Sequence, residues 1–199
     1  MMRARSTVIG MPELCLAQRA DADALLSRDP LALLIGMVLD QQMPPEWAFT
    51  GPLTLTERLG HDLDVVELAE FDPDKLAKIF ARPPAVHRFP GSMAGRVQQL
   101  CQLIVSDYAG DPTGIWTGMK NGDELRKRVE ALPGFGAHKA KIFVALLGKQ
   151  FGVTPRGWRD AAGDFGKRGT LLSVADIIDG ATLLKVREAK KQAKVAAKA

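Results

Sequence analysis

Apolar and polar positions recur along most of the chain with helical spacing, interrupted by short Gly/Pro turns. The spacing is clearest over 92–108. There Val97, Leu100, Cys101, Ile104, Val105 and Tyr108 share one face, and Gln98, Gln99 and Gln102 the opposite one. Residues 31–41 are apolar nearly all round, as in a central buried helix, and Asp29-Pro30 supplies its cap and first residue. Pro44-Pro45 starts a helix over 46–59 that Gly51-Pro52 is expected to break or kink. Short helices are predicted over 21–27, 62–69 and 73–80, the last capped by Asp72 and ended by Arg82-Pro83-Pro84. A loop at 111–118 precedes a charged helix over 121–132 and a further helix over 137–151. Residues 171–178 suit a short helix, and the Lys/Ala-rich 181–199 a longer one frayed at its end. The Gly- and charge-rich 154–170 fits no element. Thr7-Val8-Ile9 suits an extended segment with no evident partner, so the expected fold class is all-α.

Charge adds a direction to this pattern. The chain of 199 residues carries a net charge of +4, and the basic residues are segregated. Residues 79–106 hold Arg82, Arg88 and Arg96 without an acid, and 131–159 hold Lys139, Lys141, Lys149, Arg156 and Arg159 without one. If chain order survives as surface order, this gives a basic face able to hold phosphates; folding could equally scatter it. The two cysteines, Cys15 and Cys101, cannot fill a four-cysteine zinc or iron–sulfur site. His61, His87 and His138 show no ligand spacing. No apolar run is long enough for a bilayer and the first residues lack a signal-peptide core, so a cytoplasmic protein without a membrane partner is expected.

The sharpest local feature is Leu132-Pro133-Gly134-Phe135-Gly136 between two predicted helices. Pro133 prevents the first helix from continuing, and the two glycines allow a tight turn and close approach by another molecule. The next helix starts at once and leaves free N–H groups at its first turn, a ready site for an anion such as a DNA phosphate. Lys139 and Lys141 follow it, and Phe135 is expected to pack inward and fix the angle between the helices. An ordinary αα-corner with a glycine cap is the alternative.

The run from Leu132 to Ala140 resembles the hairpin of the HhH-GPD superfamily of DNA glycosylases. Upstream, the buried segment ending in Asp40-Gln41-Gln42 is similar to that family's early helix, and Ala94-Gly95-Arg96-Val97-Gln98-Gln99-Leu100 to the start of a later one. The resemblance covers roughly 31–153 in family order. It implies a two-lobed helical bundle over 1–170 with a helix-hairpin-helix element, followed by a Lys-rich helical extension over 171–199. Double-stranded DNA would lie in the cleft, with a damaged or mismatched base flipped into it. Contacts to DNA would come from Gln41, Gln42, Arg96, Leu132, Gly134, Phe135, Gly136, His138, Lys139 and Lys141. Gln41 and Gln42 could instead cap the buried helix. The backbone carbonyls of Leu132, Gly134 and Gly136 would hold a monovalent cation, Na or K. No other cofactor is implied, and the family's iron–sulfur cluster lacks its cysteines.

Two departures from the family pattern shape the expected chemistry. Bifunctional members place a lysine two residues past the second hairpin glycine, where this chain has His138. Lys139 comes one place later, a helical rotation of about 100°, so lyase chemistry is not expected. The family's catalytic aspartate would fall at 156–158, where none occurs. Asp160 is the nearest carboxylate and Asp164 the second choice; Asp160 could instead cap 161–162 or pair with Arg159. Trp47 and Trp158 are candidates for stacking on a flipped base, with core packing the alternative. The resemblance thus implies a monomeric, nucleoid-associated, monofunctional DNA glycosylase of base excision repair. The alternatives are a catalytically silent DNA-binding protein of the same fold and a helical protein-interaction domain. Lys185, Arg187, Lys190, Lys191 and Lys194 would either touch phosphates or solubilise the C-terminal helix.

Overall fold

A computed structural model describes residues 13–196, apart from the Lys194 side chain; the 7–9 segment lies outside the described residues. The chain forms α1 (Ala20–Arg28), α2 (Pro30–Leu39), α3 (Pro45–Leu59), α4 (Val65–Glu70), α5 (Pro73–Ala81) and α6 (Pro90–Tyr108). It continues with α7 (Gly122–Glu130), α8 (Ala137–Gln150), α9 (Trp158–Ala161) and α10 (Gly180–Ala196). The described residues form no sheet; Asn121 and Arg156 meet in one isolated bridge. The fold is an all-α, multi-helix bundle.

The centre is α2, whose residues from Leu31 to Leu39 are all buried. The Asp29 carboxylate caps it, accepting from the N–H groups of Leu31 at 2.8 Å and Ala32 at 3.2 Å. Contact with α3 is close enough to need glycine on both sides. A Cβ on Gly36 would lie 2.6 Å from Phe49, and one on Gly51 2.4 Å from Leu39. This corrects the expected break at Gly51-Pro52: α3 runs through to Leu59. Gly51 and Pro52 are both buried, and packing on α2 offsets what proline costs a helix interior.

Along α6 the glutamines do more than face solvent. Gln98 is buried and its amide donates to the Phe71 carbonyl, while Gln102 donates to Ala69 at 3.1 Å. These carbonyls end α4, where the helix ladder leaves them without partners. Polar spacing on α6 therefore marks a second packing face. Cys101 is buried, and desolvation pushes its thiol up to about 12.

Between α7 and α8 the chain reverses over 131–136, with the Phe135 N–H donating to the Leu132 carbonyl at 3.0 Å. The Phe135 ring is buried edge-on to Phe143, centroids 5.7 Å apart. Residues 154–170 add α9 and a short 3-10 turn, Gly163–Gly166. Residues 171–178 form only a 3-10 turn at Val174–Asp176, not the expected α-helix. Asp176 draws them into a compact loop by accepting from Lys149 and from the N–H groups of Leu172 and Ser173. In α10, Leu183 and Val186 are buried, and Arg187 pairs with Glu46 of α3.

Trp158 sits on the backbones of α7 and α8. A Cβ on Gly148 would lie 2.3 Å from its ring and one on Gly122 2.4 Å from its Cα. Gly148→Ala is therefore expected to destabilise the fold by about 1–3 kcal/mol despite alanine's better helix propensity. Urea denaturation of the variant checks this.

Candidate functional site

The C-terminal end of α2 and the N-terminal end of α8 meet at a cleft of about 1450 Å³. Residues 37 and 40–43 line one side, 137–139 with Lys141 and Ile142 another, and Arg88, Asp164, Phe165, Leu172, Ala189, Lys190 and Ala193 complete the wall. The C-terminal helix α10 is thus part of the cleft.

The turn before α8 fits against α2 because Gly134 has φ +82° and a Cβ there would lie 3.3 Å from Val38. Lys139 then reaches across, its Nζ donating to the carbonyl of Met37 at 2.7 Å and of Val38 at 3.2 Å. Burial pushes this amine down to about 8; Asp40 opposes the shift and Arg96 adds to it. Both His138 and Lys139 line the cleft. In the structure it is Lys139 that reaches inward, and His138 is exposed, edge-on to Phe165 at 5.2 Å.

The segment after α2 is held by three neighbours. Gln41 leaves the helix, so α2 ends at Leu39 and not at 41. Its Oε1 accepts from Arg96 at 2.8 Å, its Nε2 donates to Val38 at 2.8 Å, and its carbonyl lies 3.0 Å from His87 Nε2. The Phe89 N–H donates to His87 Nδ1 at 3.0 Å, so the buried ring carries its proton on Nε2. Burial lowers the His87 pKa, the bond to Gln41 opposes this, and Arg88, Lys139 and Arg96 add to it. Gln41 thus takes the structural role and Gln42 is presented to the cleft. Gln42 is exposed with φ +55°, a left-handed conformation costing a non-glycine residue about 1 kcal/mol.

The first turn of α8 is open. Its N-cap, Gly136, offers no side-chain hydrogen bond, and no acid lies in that turn. A Cβ on Gly136 would meet nothing within 4 Å. Four cationic side chains line the cleft, Arg88, Lys139, Lys141 and Lys190, against two carboxylates, Asp40 and Asp164. Asp164 is 74% exposed and pairs with Lys167 at 2.6 Å, which lowers its pKa. Burial raises the Asp40 pKa, Lys190 and Lys139 work against this, and Glu46 adds to it.

Other candidates lie elsewhere. Asp160 is exposed on α9 and is not among the residues lining the cleft. Trp158 is 7% exposed and packed as described above, with Arg159 stacked on it at 4.3 Å; it fills core and not a pocket. Trp47 is 69% exposed, two residues from the cleft-lining Pro45. Arg96 acts on the cleft through Gln41. Sequence reading named Arg88 and Lys190 only within basic stretches able to touch phosphates, and passed over Asp40. Asp40 had a local signal, an acid placed directly at the end of a wholly buried helix.

Among the described residues no group of three or more His, Cys, Asp or Glu side chains could hold a metal ion. In the turn, the carbonyls of Leu132 and Gly136 accept from Phe135 at 3.0 Å and Ala140 at 2.8 Å. Each carbonyl keeps a second lone pair, so these neutral oxygens, with that of Gly134, suit a monovalent cation. No helix among the described residues is long and apolar enough to cross a membrane. In comparisons with known proteins, the chain matches no family model, no curated protein and no solved structure.

A buried lysine with these surroundings has a measurable signature. One lysine should titrate near pH 8 in a 13Cε NMR titration of lysine-labelled protein, and its resonance should disappear in Lys139→Arg. Its folded pKa of about 8 lies below the ordinary 10.5. Between those values the unfolded chain holds a proton that the folded chain has released, so Lys139 makes stability rise with pH across that window.

Proposed function

We propose that the protein binds double-stranded DNA through the α7–α8 hairpin and receives a flipped base in the cleft, acting as a monofunctional DNA glycosylase of base excision repair. One observation carries this reading: the open N-terminus of α8 lies in the same cleft as Arg88, Lys139, Lys141 and Lys190. Backbone N–H groups and cations converging in one concavity suit phosphate oxygens. The cleft volume of about 1450 Å³ exceeds the roughly 300–1,000 Å³ of a small-molecule pocket, leaving room for a nucleotide with its strand. The carbonyls of Leu132, Gly134 and Gly136 would hold a monovalent cation, which would draw a phosphate towards the turn. The protein would act as a nucleoid-associated monomer in the cytoplasm.

Lyase chemistry is not part of the proposal. A Schiff base at Lys139 would give up the hydrogen bonds to Met37 and Val38 and leave the Met37 carbonyl without its side-chain donor, while Val38 keeps the one from Gln41. Borohydride should accordingly trap no covalent adduct with abasic DNA. A silent DNA-binding protein is the second reading, favoured by the position of Asp160 outside the cleft. A panel of duplexes carrying damaged and mismatched bases separates the two by whether any base is released.

The hairpin contact has its own test. Gly136→Asp should raise stability by about 0.5 kcal/mol through a better N-cap and the helix dipole. The same carboxylate would occupy the open N–H groups and repel phosphate, so duplex affinity should fall at least about tenfold. Lys141→Ala should reduce the slope of log affinity against log salt by about one. Fluorescence anisotropy measures both, and unchanged affinity in both variants would remove the hairpin from the DNA interface.

A further inference from the structure

Resting on the reading of this cleft as a base-excision site, we infer that Asp40 is the catalytic carboxylate, acting at the anomeric carbon of the flipped nucleotide. Two carboxylates line the cleft, and Asp164 is spent on Lys167 and faces solvent. Asp40 differs in every respect. Its surroundings supply burial and neighbouring charges but no hydrogen bond among the described residues. Among the described residues it also makes no ion pair within 4 Å of the kind that Lys149 makes with Asp176.

Local structure gives no reason for an acid at this position. Asp40 is the C-cap of α2, where the helix dipole disfavours negative charge. Glu46 of α3 adds like charge. The favourable neighbours are Lys139 of α8 and Lys190 of α10, both lining the same cleft. A half-buried carboxylate at the wrong helix end, without a hydrogen bond among the described residues, lowers stability, and such departures are kept where function uses them. Its position is also fixed. The wholly buried α2 precedes it, and Gln41, held by Arg96 and by His87, follows it.

The chemistry needs one carboxylate and one water. The C1′–N bond breaks and its electron pair leaves with the base. Positive charge develops on the sugar, which ionised Asp40 stabilises. Water oxygen forms the new C1′–O bond, and one water proton passes to Asp40 and on to the released base. Lys139 and Lys190 favour the ionised form of Asp40, against the burial that raises its pKa, beside the phosphates they attract.

Asp40→Asn in the full chain tests this, because the amide keeps the shape and removes the charge. Single-turnover base release from the duplex that the parent protein processes should fall at least about 100-fold, while duplex affinity holds or tightens. Tm should rise at neutral pH. The folded pKa of Asp40 is raised, so its stability contribution is present in acid and lost as pH rises through that pKa; asparagine has no such loss. The Tm gain should therefore shrink in acid.

Release within tenfold of the parent overturns the role of Asp40 and leaves the reading of the cleft standing, with Asp160→Asn as the next comparison. Lost release together with lowered Tm makes Asp40 a residue of the fold and overturns its catalytic role. A parent protein that binds duplex DNA but releases no base from the panel overturns the base-excision reading and this role with it.

Discussion

The Lys139 ammonium, buried between α8 and the end of α2, is the contact on which the arrangement of the cleft depends. The last carbonyls of a helix have no partner within it, and water cannot reach those of a helix as buried as α2. Lys139 supplies a donor to Met37, and a second one to Val38 beside Gln41, from a helix a hundred residues away in sequence. The negative pole of α2 favours the positive charge placed there. Gly134 allows the approach, since a side chain at its φ of +82° would press on Val38. Hairpin and central helix thus position each other, and the open first turn of α8 is aimed by the same contact.

That ammonium also ties together charges from separate parts of the chain. Its burial weakens its hold on the proton, and Asp40 partly restores it. Asp40 in turn depends on Lys190 from α10. The Lys-rich C-terminal segment therefore belongs to the electrostatics of the cleft. It is held in place by Leu183 and Val186 in the core and by Arg187 on Glu46.

Helical periodicity made most elements legible, because one buried stripe per helix is a local property of the sequence. The caps Asp29 and Asp72 and the turn at 132–136 were legible for the same reason. What escaped was decided by contacts between distant segments. Pro52 survives inside α3 because Gly51 lets Leu39 close against it. Trp158 takes the core role, one of its two sequence readings, because Gly148 leaves space for its ring, and it is this partner that nothing near Trp158 in sequence announces. Lys139 turns inward because the turn is docked on α2, which sets the rotation of α8. Gln98 and Gln102 look solvent-facing until α4 brings carbonyls to them.

Local rules are kept elsewhere in the fold and broken around the cleft. Asp29, Asp64, Asp72 and Asn121 cap α2, α4, α5 and α7, and prolines open α3 and α6. Among the described helices with an assigned N-cap, α8 alone has no side-chain cap, no first-turn acid and no proline. Among the described residues three non-glycine residues have positive φ: Ala109 closes α6, Gln18 precedes α1, and Gln42 lines the cleft. Asp40 puts a carboxylate at the negative end of α2. An uncapped helix start, a left-handed glutamine and a misplaced acid each cost stability, and each alone has a bland explanation. Their convergence on one cationic cleft does not follow from packing, since each could be relieved by a single substitution without disturbing the core. Three of the fold's departures from local rules thus share one concavity, which supports the proposal that the functional surface lies there.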